Sequence, residues 1–291
     1  YFWTGEPLIE WGFSTVLNPF STIPSIMFGA QYGLQISLVI HVIIGGIGGW
    51  ILARVLGLGT LGRVVLGVLM VARGNPVGMI FEGYFQLAVS QYFIPYALAS
   101  AVALFRFPNK RYPIILMGMS FALLLWVGNI YYMLPTALMV GSIVAIYAVH
   151  IDRDANRRLK ITFDRPLIVR FVAAVLFSIL LSAAMLLPLV LQSDRMAGHT
   201  GMNAIDWEWW RRDLYRVVEQ YFNGDLGLYT QNLAPGMPSL YYAFITPAWF
   251  ALVIFVVCPP IRALHRESFN KSRRLWLVAL FWIVFFTLWG A

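Results

Sequence analysis

Charged residues and cysteine are both scarce in this chain of 291 residues. Only 12% of the side chains are charged and the mean hydropathy is +0.73, whereas an average soluble domain has about 25% charged residues. A single cysteine, Cys258, lies within an apolar run, which excludes an intrachain disulfide framework and a cysteine-rich metal site. The composition therefore excludes an ordinary soluble globular domain and favours a membrane protein.

Several familiar signals are also missing. The chain begins Tyr1-Phe2-Trp3 without a Met or a signal peptide and ends in an apolar run, so we expect it to be an internal piece of a longer protein. The glycine-rich loop from Gly57 to Gly62 lacks the Lys-Ser/Thr of a P-loop, which argues against nucleotide binding there. No paired-histidine pattern for zinc or haem is present. The sequence therefore contains no convincing metal-binding motif, and no residue is assigned as a metal ligand.

Long apolar runs dominate what is present. About 20 apolar residues cross a hydrocarbon core roughly 30 Å thick. The predicted full spans are Leu34–Leu56, Gly83–Phe105, Leu167–Gln192, Tyr241–Ile261 and Leu275–Gly290. Three shorter helices complete the path, with a hairpin turn at Gly128-Asn129: Leu61–Ala72, Pro113–Val127 and Ile130–Val149. The sequence thus predicts an all-α polytopic bundle of about eight spans, forming one transmembrane domain over residues 1–291.

The basic residues orient this bundle. Of the 21 Lys and Arg, 16 fall in four short loops: Arg54–Arg63, Arg106–Arg111, Arg153–Arg170 and Arg262–Arg274. Short cytoplasmic loops carry such an excess. We therefore expect a multi-pass protein of the plasma membrane with these loops in the cytoplasm, in a bacterial inner membrane. The net charge of +8 then comes mostly from these basic loops. Binding to nucleic acid is therefore not expected.

Polar residues collect on the predicted outer face, above all in the loop Ser193–Leu240. Within it, Asp206–Phe222 predicts an amphipathic helix, because Trp207, Trp210 and Leu214 recur at three- and four-residue steps. Such a helix can lie in the headgroup layer and simply pack on the bundle. Alternatively, the arginines of this helix bind the phosphate group of a lipid.

The pattern resembles the GT-C superfamily of multispanning glycosyltransferases, particularly its YfhO-like membrane proteins. Four stretches carry the likeness. They are an outer loop ending in Asn18-Pro19-Phe20 with a glycine-punctuated span after it, a turn at Arg73–Pro76, a hairpin at Gly128-Asn129, and Leu186-Leu187-Pro188 before an aromatic outer loop. The resemblance implies a sugar donor carried on polyprenyl phosphate and presented from the outer face.

The resemblance also implies a carboxylate in the first outer loop as base or metal ligand, which here would be Glu6 or Glu10. Glycosyl transfer needs a base for the acceptor hydroxyl and positive charge for the departing phosphate. The outer loops contain no Asp-Asp or Asp-x-Asp pair, so whether a divalent cation takes part stays open. The candidate substrate-binding residues are Arg73, Asn75, Glu82, Arg195, His199, Arg211, Arg212 and Arg216.

Two further features lie within the first predicted span. His41 is intramembrane, and we expect a neutral histidine that is hydrogen-bonded by a neighbouring helix, with a cofactor ligand or a proton relay as alternatives. The pairs Gly45-Gly46 and Gly48-Gly49 predict close approach of another helix.

The sequence therefore predicts a membrane glycosyltransferase-like protein whose partners are the bilayer, a lipid-linked sugar donor and other membrane subunits. Two alternatives stay open. One is a non-catalytic subunit of a larger membrane complex, and the other is a transporter or flippase of lipid-linked intermediates.

Overall fold

The computed structural model describes residues 17–72, 80, 85–127, 130–153, 159–191 and 281–282, which are mostly helical. The helices are α1 (Pro19–Leu56), α2 (Thr60–Val71), α3 (Phe85–Ser90), α4 (Ile94–Arg106), α5 (Tyr112–Trp126), α6 (Ile130–Ala148) and α7 (Arg165–Leu191). A 3₁₀ turn, Gln91–Phe93, joins α3 to α4, and the strands β1 (Val149–Arg153) and β2 (Leu159–Phe163) lie between α6 and α7.

Three helices in this part of the chain are long and apolar enough to cross a membrane: Pro19–Leu56, Ala88–Arg106 and Arg165–Ala184. Shorter apolar helices cover Thr60–Val71, Tyr112–Trp126 and Tyr132–Ala148. These six helices lie where the sequence predicts six of the spans. The predicted spans Tyr241–Ile261 and Leu275–Gly290 (apart from 281–282) and the amphipathic helix lie outside the described residues, so the total of eight stays a prediction.

Helix α1 begins well before the predicted start at Leu34. Asn18 caps it, its side-chain oxygen accepting a hydrogen bond from the Phe20 backbone N–H at 3.2 Å. Gly29 breaks it with φ +78 and ψ 167, a conformation that favours glycine.

The break at Gly29 reverses the chain. A Cβ atom on Gly33 would lie 2.6 Å from the backbone nitrogen of Ser25, although residues eight apart in a straight helix are separated by about 12 Å. We therefore divide α1 into a short arm (19–28) and a long arm (30–56) that pack against each other. The long arm is about 40 Å long, enough to cross a bilayer alone.

Helix α4 lies at the centre of the described bundle. It packs against α1, α5 and α6, and its side chains from Ile94 to Leu104 are nearly all buried. Pro95 lacks the N–H that would bond to the preceding turn, which accounts for the tighter 3₁₀ turn just before α4. Helix α7 is far more exposed and presents an apolar outer surface, as expected of a helix that faces lipid.

The glycines of the α1 long arm allow close packing, as predicted. A Cβ atom on Gly48 would lie 2.6 Å from the Tyr96 ring, and one on Gly49 would lie 2.8 Å from the Leu66 carbonyl oxygen of α2. The Tyr96 hydroxyl donates to the Ile44 carbonyl oxygen at 2.7 Å. Without these glycines, α1 cannot approach both α2 and α4 so closely.

Three of the basic loops gather at one end of the bundle. Arg106 donates to the Val55 carbonyl oxygen at the end of α1. Arg170 donates to the Leu104 carbonyl oxygen at the end of α4, and to Phe107 and Lys110 at 3.0 and 2.9 Å. These arginines satisfy carbonyl groups that have no partner within their own helices. We call this end of the bundle the basic end.

The basic loop Arg153–Arg170, which the sequence analysis described only by its charge, contains strand β2 and begins at the last residue of β1. Strands β1 and β2 pair antiparallel, with Ile151 opposite Ile161 and Asp152 opposite Lys160. The apolar-polar alternation of both segments is typical of strands. Asp164 follows β2 and caps α7, accepting a hydrogen bond from the Leu167 N–H at 3.1 Å.

The packing of α1 on α2 gives a first prediction. Gly49→Ala should destabilise the protein by about 1–3 kcal/mol, because the added methyl group meets the α2 backbone. Gly141→Ala in α6 is the matched control, since nothing lies within 4 Å of a Cβ atom there. Thermal unfolding in detergent measures both. Equal melting temperatures for the two variants would contradict the close packing.

Candidate functional site

The ten residues that the sequence analysis proposed for the site all lie outside the described residues. They are Glu6, Glu10, Arg73, Asn75, Glu82, Arg195, His199, Arg211, Arg212 and Arg216. The structure neither brings them together nor separates them, and their roles stay predictions.

The described residues contain a different polar cluster, which lies between the two arms of α1. Asn18 and Ser21 belong to the short-arm side, and Ser37 and His41 to the long arm. Asn18, Ser37 and His41 are fully buried, and Ser21 is 2% exposed. We call these four residues the hairpin cluster. Pairs three and four residues apart share one face of a helix, so each arm presents two polar groups to the other.

Hydrogen bonds connect the cluster throughout. Asn18 Nδ2 lies 3.0 Å from His41 Nε2 and donates to Ser21 Oγ at 3.1 Å. The Ser21 and Ser37 hydroxyls are 2.8 Å apart. His41 Nδ1 lies 2.7 Å from the Ser37 carbonyl oxygen and 3.3 Å from its hydroxyl. Four side chains thereby tie residues that are up to 23 positions apart in sequence.

This geometry fixes the state of the imidazole. A carbonyl oxygen only accepts hydrogen bonds, so His41 Nδ1 carries the proton that bonds to Ser37. His41 Nε2 is then the unprotonated nitrogen and accepts from the Asn18 amide. One neutral histidine satisfies both contacts, and neither ring nitrogen is left for a metal ion or a substrate.

Aromatic rings enclose the imidazole on its remaining sides. Phe20, Phe85 and Phe93 meet it edge-on, with ring centroids 6.0, 6.5 and 5.6 Å away. Such edge-to-face contacts add to the packing energy. Within the described residues, no group of three or more His, Cys, Asp or Glu is placed to hold a metal ion. Of the three readings of His41, the contacts support the hydrogen-bonded neutral histidine.

The cluster therefore acts as a lock that holds the short arm of α1 against the long arm. Sequence reasoning singled out His41 and Asn18 separately and predicted that a neighbouring helix would satisfy the histidine. It missed the two serines and the pairing, because only the reversal at Gly29 brings these positions together. The spacing of Asn18 to Ser21 and of Ser37 to His41 was the available signal.

No protein family matches this sequence, and neither a curated protein nor a solved structure is significantly similar to it.

The lock gives a second prediction. His41→Leu should destabilise the protein by about 1–3 kcal/mol, because one N–H of the buried Asn18 amide loses its acceptor and only the bond to Ser21 Oγ is left. Ser120→Ala is the control: that hydroxyl is also buried but bonds to the Met117 carbonyl oxygen of its own helix at 2.9 Å. The Ser120→Ala control should destabilise the protein clearly less than His41→Leu does, and thermal unfolding in detergent measures both.

A double-mutant cycle then isolates the pair. Asn18→Leu combined with His41→Leu should cost less than the two single changes added together, because the double variant leaves no buried polar atom of this pair without a partner. Strict additivity would mean that the Asn18–His41 hydrogen bond does not carry the lock.

Proposed function

We propose that this chain is part of a multi-pass membrane protein that transfers a sugar from a polyprenyl-phosphate-linked donor at the outer face of the membrane. The observation that carries the proposal is the anchoring of Asn18-Pro19-Phe20. In the GT-C resemblance this motif ends the loop that supplies the acidic residue, and here Asn18 is locked to the long arm of α1. The lock gives that loop a rigid attachment point.

Depth along α1 supports the same assignment. His41 lies 13 residues before Arg54, which corresponds to roughly 20 Å along a helix. With Arg54 at the cytoplasmic boundary, the Asn18–His41 contact falls in the outer half of a core about 30 Å thick. The loop bearing Glu6 and Glu10 then joins the bundle on the side where a polyprenyl phosphate in the outer leaflet is presented.

In this proposal Glu6 or Glu10 accepts the proton of the acceptor hydroxyl as that oxygen attacks the sugar. Arg73, Arg195 and the arginines Arg211, Arg212 and Arg216 supply positive charge to the departing phosphate. Asn75, Glu82 and His199 complete the substrate contacts. A divalent cation can serve the same purpose as the arginines, and no residue is assigned to one.

Two rivals each have an observation in their favour. His41 is fully buried, and both of its ring nitrogens are hydrogen-bonded within the protein. A non-catalytic subunit of a membrane complex would show the same, because the most deeply buried ionisable group of the described bundle then has a structural role. The broken helix at Gly29 beside buried polar groups is a feature that transporters and flippases share. The experiments below separate these rivals from the transferase.

The catalytic assignment gives a third prediction. The purified protein in lipid, supplied with a panel of polyprenyl-phosphate hexoses and acceptors, should release polyprenyl phosphate. Glu6→Gln or Glu10→Gln should lower that rate at least 100-fold, the size expected for loss of a general base. Glu208→Gln, in the predicted amphipathic helix, is the matched control and should retain most of the rate.

Other outcomes point to the rivals. A protein that turns over no donor but co-purifies with other membrane subunits supports the structural role. Movement of a lipid-linked sugar between leaflets, without its cleavage, supports a flippase.

The orientation gives a fourth prediction. In a Cys258→Ser background, Arg111→Cys at the basic end should react with a membrane-impermeant maleimide only when the cytoplasmic side is opened. Tyr32→Cys, at an exposed position beyond Gly29, should react from outside intact cells. The reverse labelling pattern would show that the bundle has the opposite orientation in the membrane, and it would exclude the proposed outer-face site.

A further inference from the structure

A groove runs between the long arm of α1 and helix α2. Its volume is about 470 Å³, and its walls include Gly46 and Ile47 of α1 and Val64, Gly67 and Val68 of α2. Ile47, Val64 and Val68 are each about half exposed, so the groove opens to the outside of the described bundle. Gly46 and Gly67 face each other across the two helices, and a Cβ atom on Gly67 would lie 3.1 Å from the Gly46 carbonyl oxygen. The groove has the shape and polarity expected of a binding site for a hydrocarbon chain.

Arg63 lines this groove near the basic end, and Arg54 lies beside Trp50, which also lines it. The Arg54 and Arg63 guanidinium carbons lie 5.5 and 5.9 Å from the ring centroid of Trp50, which itself lines the groove. Arg63 donates through Nε to the Leu58 carbonyl oxygen at 2.8 Å, which leaves its two terminal nitrogens available. Within the described part of the chain, neither arginine is paired with a carboxylate. Two cations thus lie beside one tryptophan ring, Trp50.

The start of α2 adds to this positive field. Its N-cap, Gly59, supplies no side-chain acceptor for the first N–H groups of the helix, and both Gly59 and Thr60 are exposed. The first turn of a helix attracts anions and favours acidic side chains. Here it carries Arg63 instead, so the charge of the turn is unbalanced.

We propose that this groove binds one phospholipid with an anionic headgroup. The phosphate lies between Arg54 and Arg63 near the start of α2, and one acyl chain follows the groove along Gly46, Gly67 and Val68. A lipid is the fitting occupant because the cations and the apolar groove are continuous through Trp50, so that one molecule with a charged head and a hydrocarbon tail satisfies both. Free phosphate would use only the arginines.

This site is independent of the proposed sugar transfer. It lies at the basic end, whereas the proposed transfer takes place at the opposite face, and it shares no residue with the candidate catalytic set.

Native mass spectrometry of the delipidated protein tests the proposal by titration with phosphatidylglycerol and phosphatidylcholine. The protein should bind one phosphatidylglycerol in preference to phosphatidylcholine. Arg54→Gln and Arg63→Gln should each weaken that binding roughly fivefold, the effect expected for one basic residue near an anionic lipid surface. Arg111→Gln is the matched control, because it removes the same charge at the same end away from the groove, and it should leave binding nearly unchanged.

Val68→Trp tests whether the acyl chain of the lipid lies in the groove. Val68 is 58% exposed, so a large side chain can occupy the groove there without disturbing the core. This change should reduce phosphatidylglycerol binding at least as much as one arginine substitution and leave binding of soluble glycerol phosphate unchanged. The proposal is overturned if Arg111→Gln weakens binding as much as Arg54→Gln. It is also overturned if Val68→Trp has no effect, since the site would then recognise the phosphate alone.

Discussion

The hydrogen bond between Asn18 and His41 is the interaction on which the described bundle most depends. In a hydrocarbon environment no water is available to satisfy a buried amide or imidazole, so each such group must find a partner within the protein. The two arms of α1 meet this requirement for each other. On another side of the long arm, Gly46 to Gly49 pack against α2 and α4.

Much of this fold was predictable because the bilayer imposes simple rules on sequence. Apolar runs of the right length located the helices. The hydrogen bonds of Arg106 and Arg170 bring three of the predicted basic loops to a common end, while their cytoplasmic location stays a prediction. The glycine pairs in α1 predicted a close helix contact, and the structure confirms that contact with α2 and α4. In each case the signal is local, or is a property of composition along the chain.

The features that escaped prediction depend on information that is not local. One glycine with positive φ reverses α1, and nothing in the apolar pattern distinguishes Gly29 from the glycines that stay helical. The hairpin cluster follows from that reversal. The β1–β2 hairpin was not predicted, because the segment was interpreted as a basic loop from its charges. The alternation of apolar and polar residues, which is typical of strands, was not used. The predicted catalytic and substrate-binding residues depend on how distant outer segments meet, which sequence spacing does not determine.

Arg106 and Arg170 show how one set of side chains can act twice. The orientation of a membrane helix is decided during insertion, when positive charge is retained on one side and the tertiary structure does not yet exist. In the finished protein the same guanidinium groups close the carbonyl ends of α1 and α4. A lysine would preserve the first role, but its compact ammonium cannot reproduce the planar, multidentate bonding of the second. Arginine at these positions therefore suits the folded state, whereas positive charge alone would be enough for the orientation that the sequence predicts.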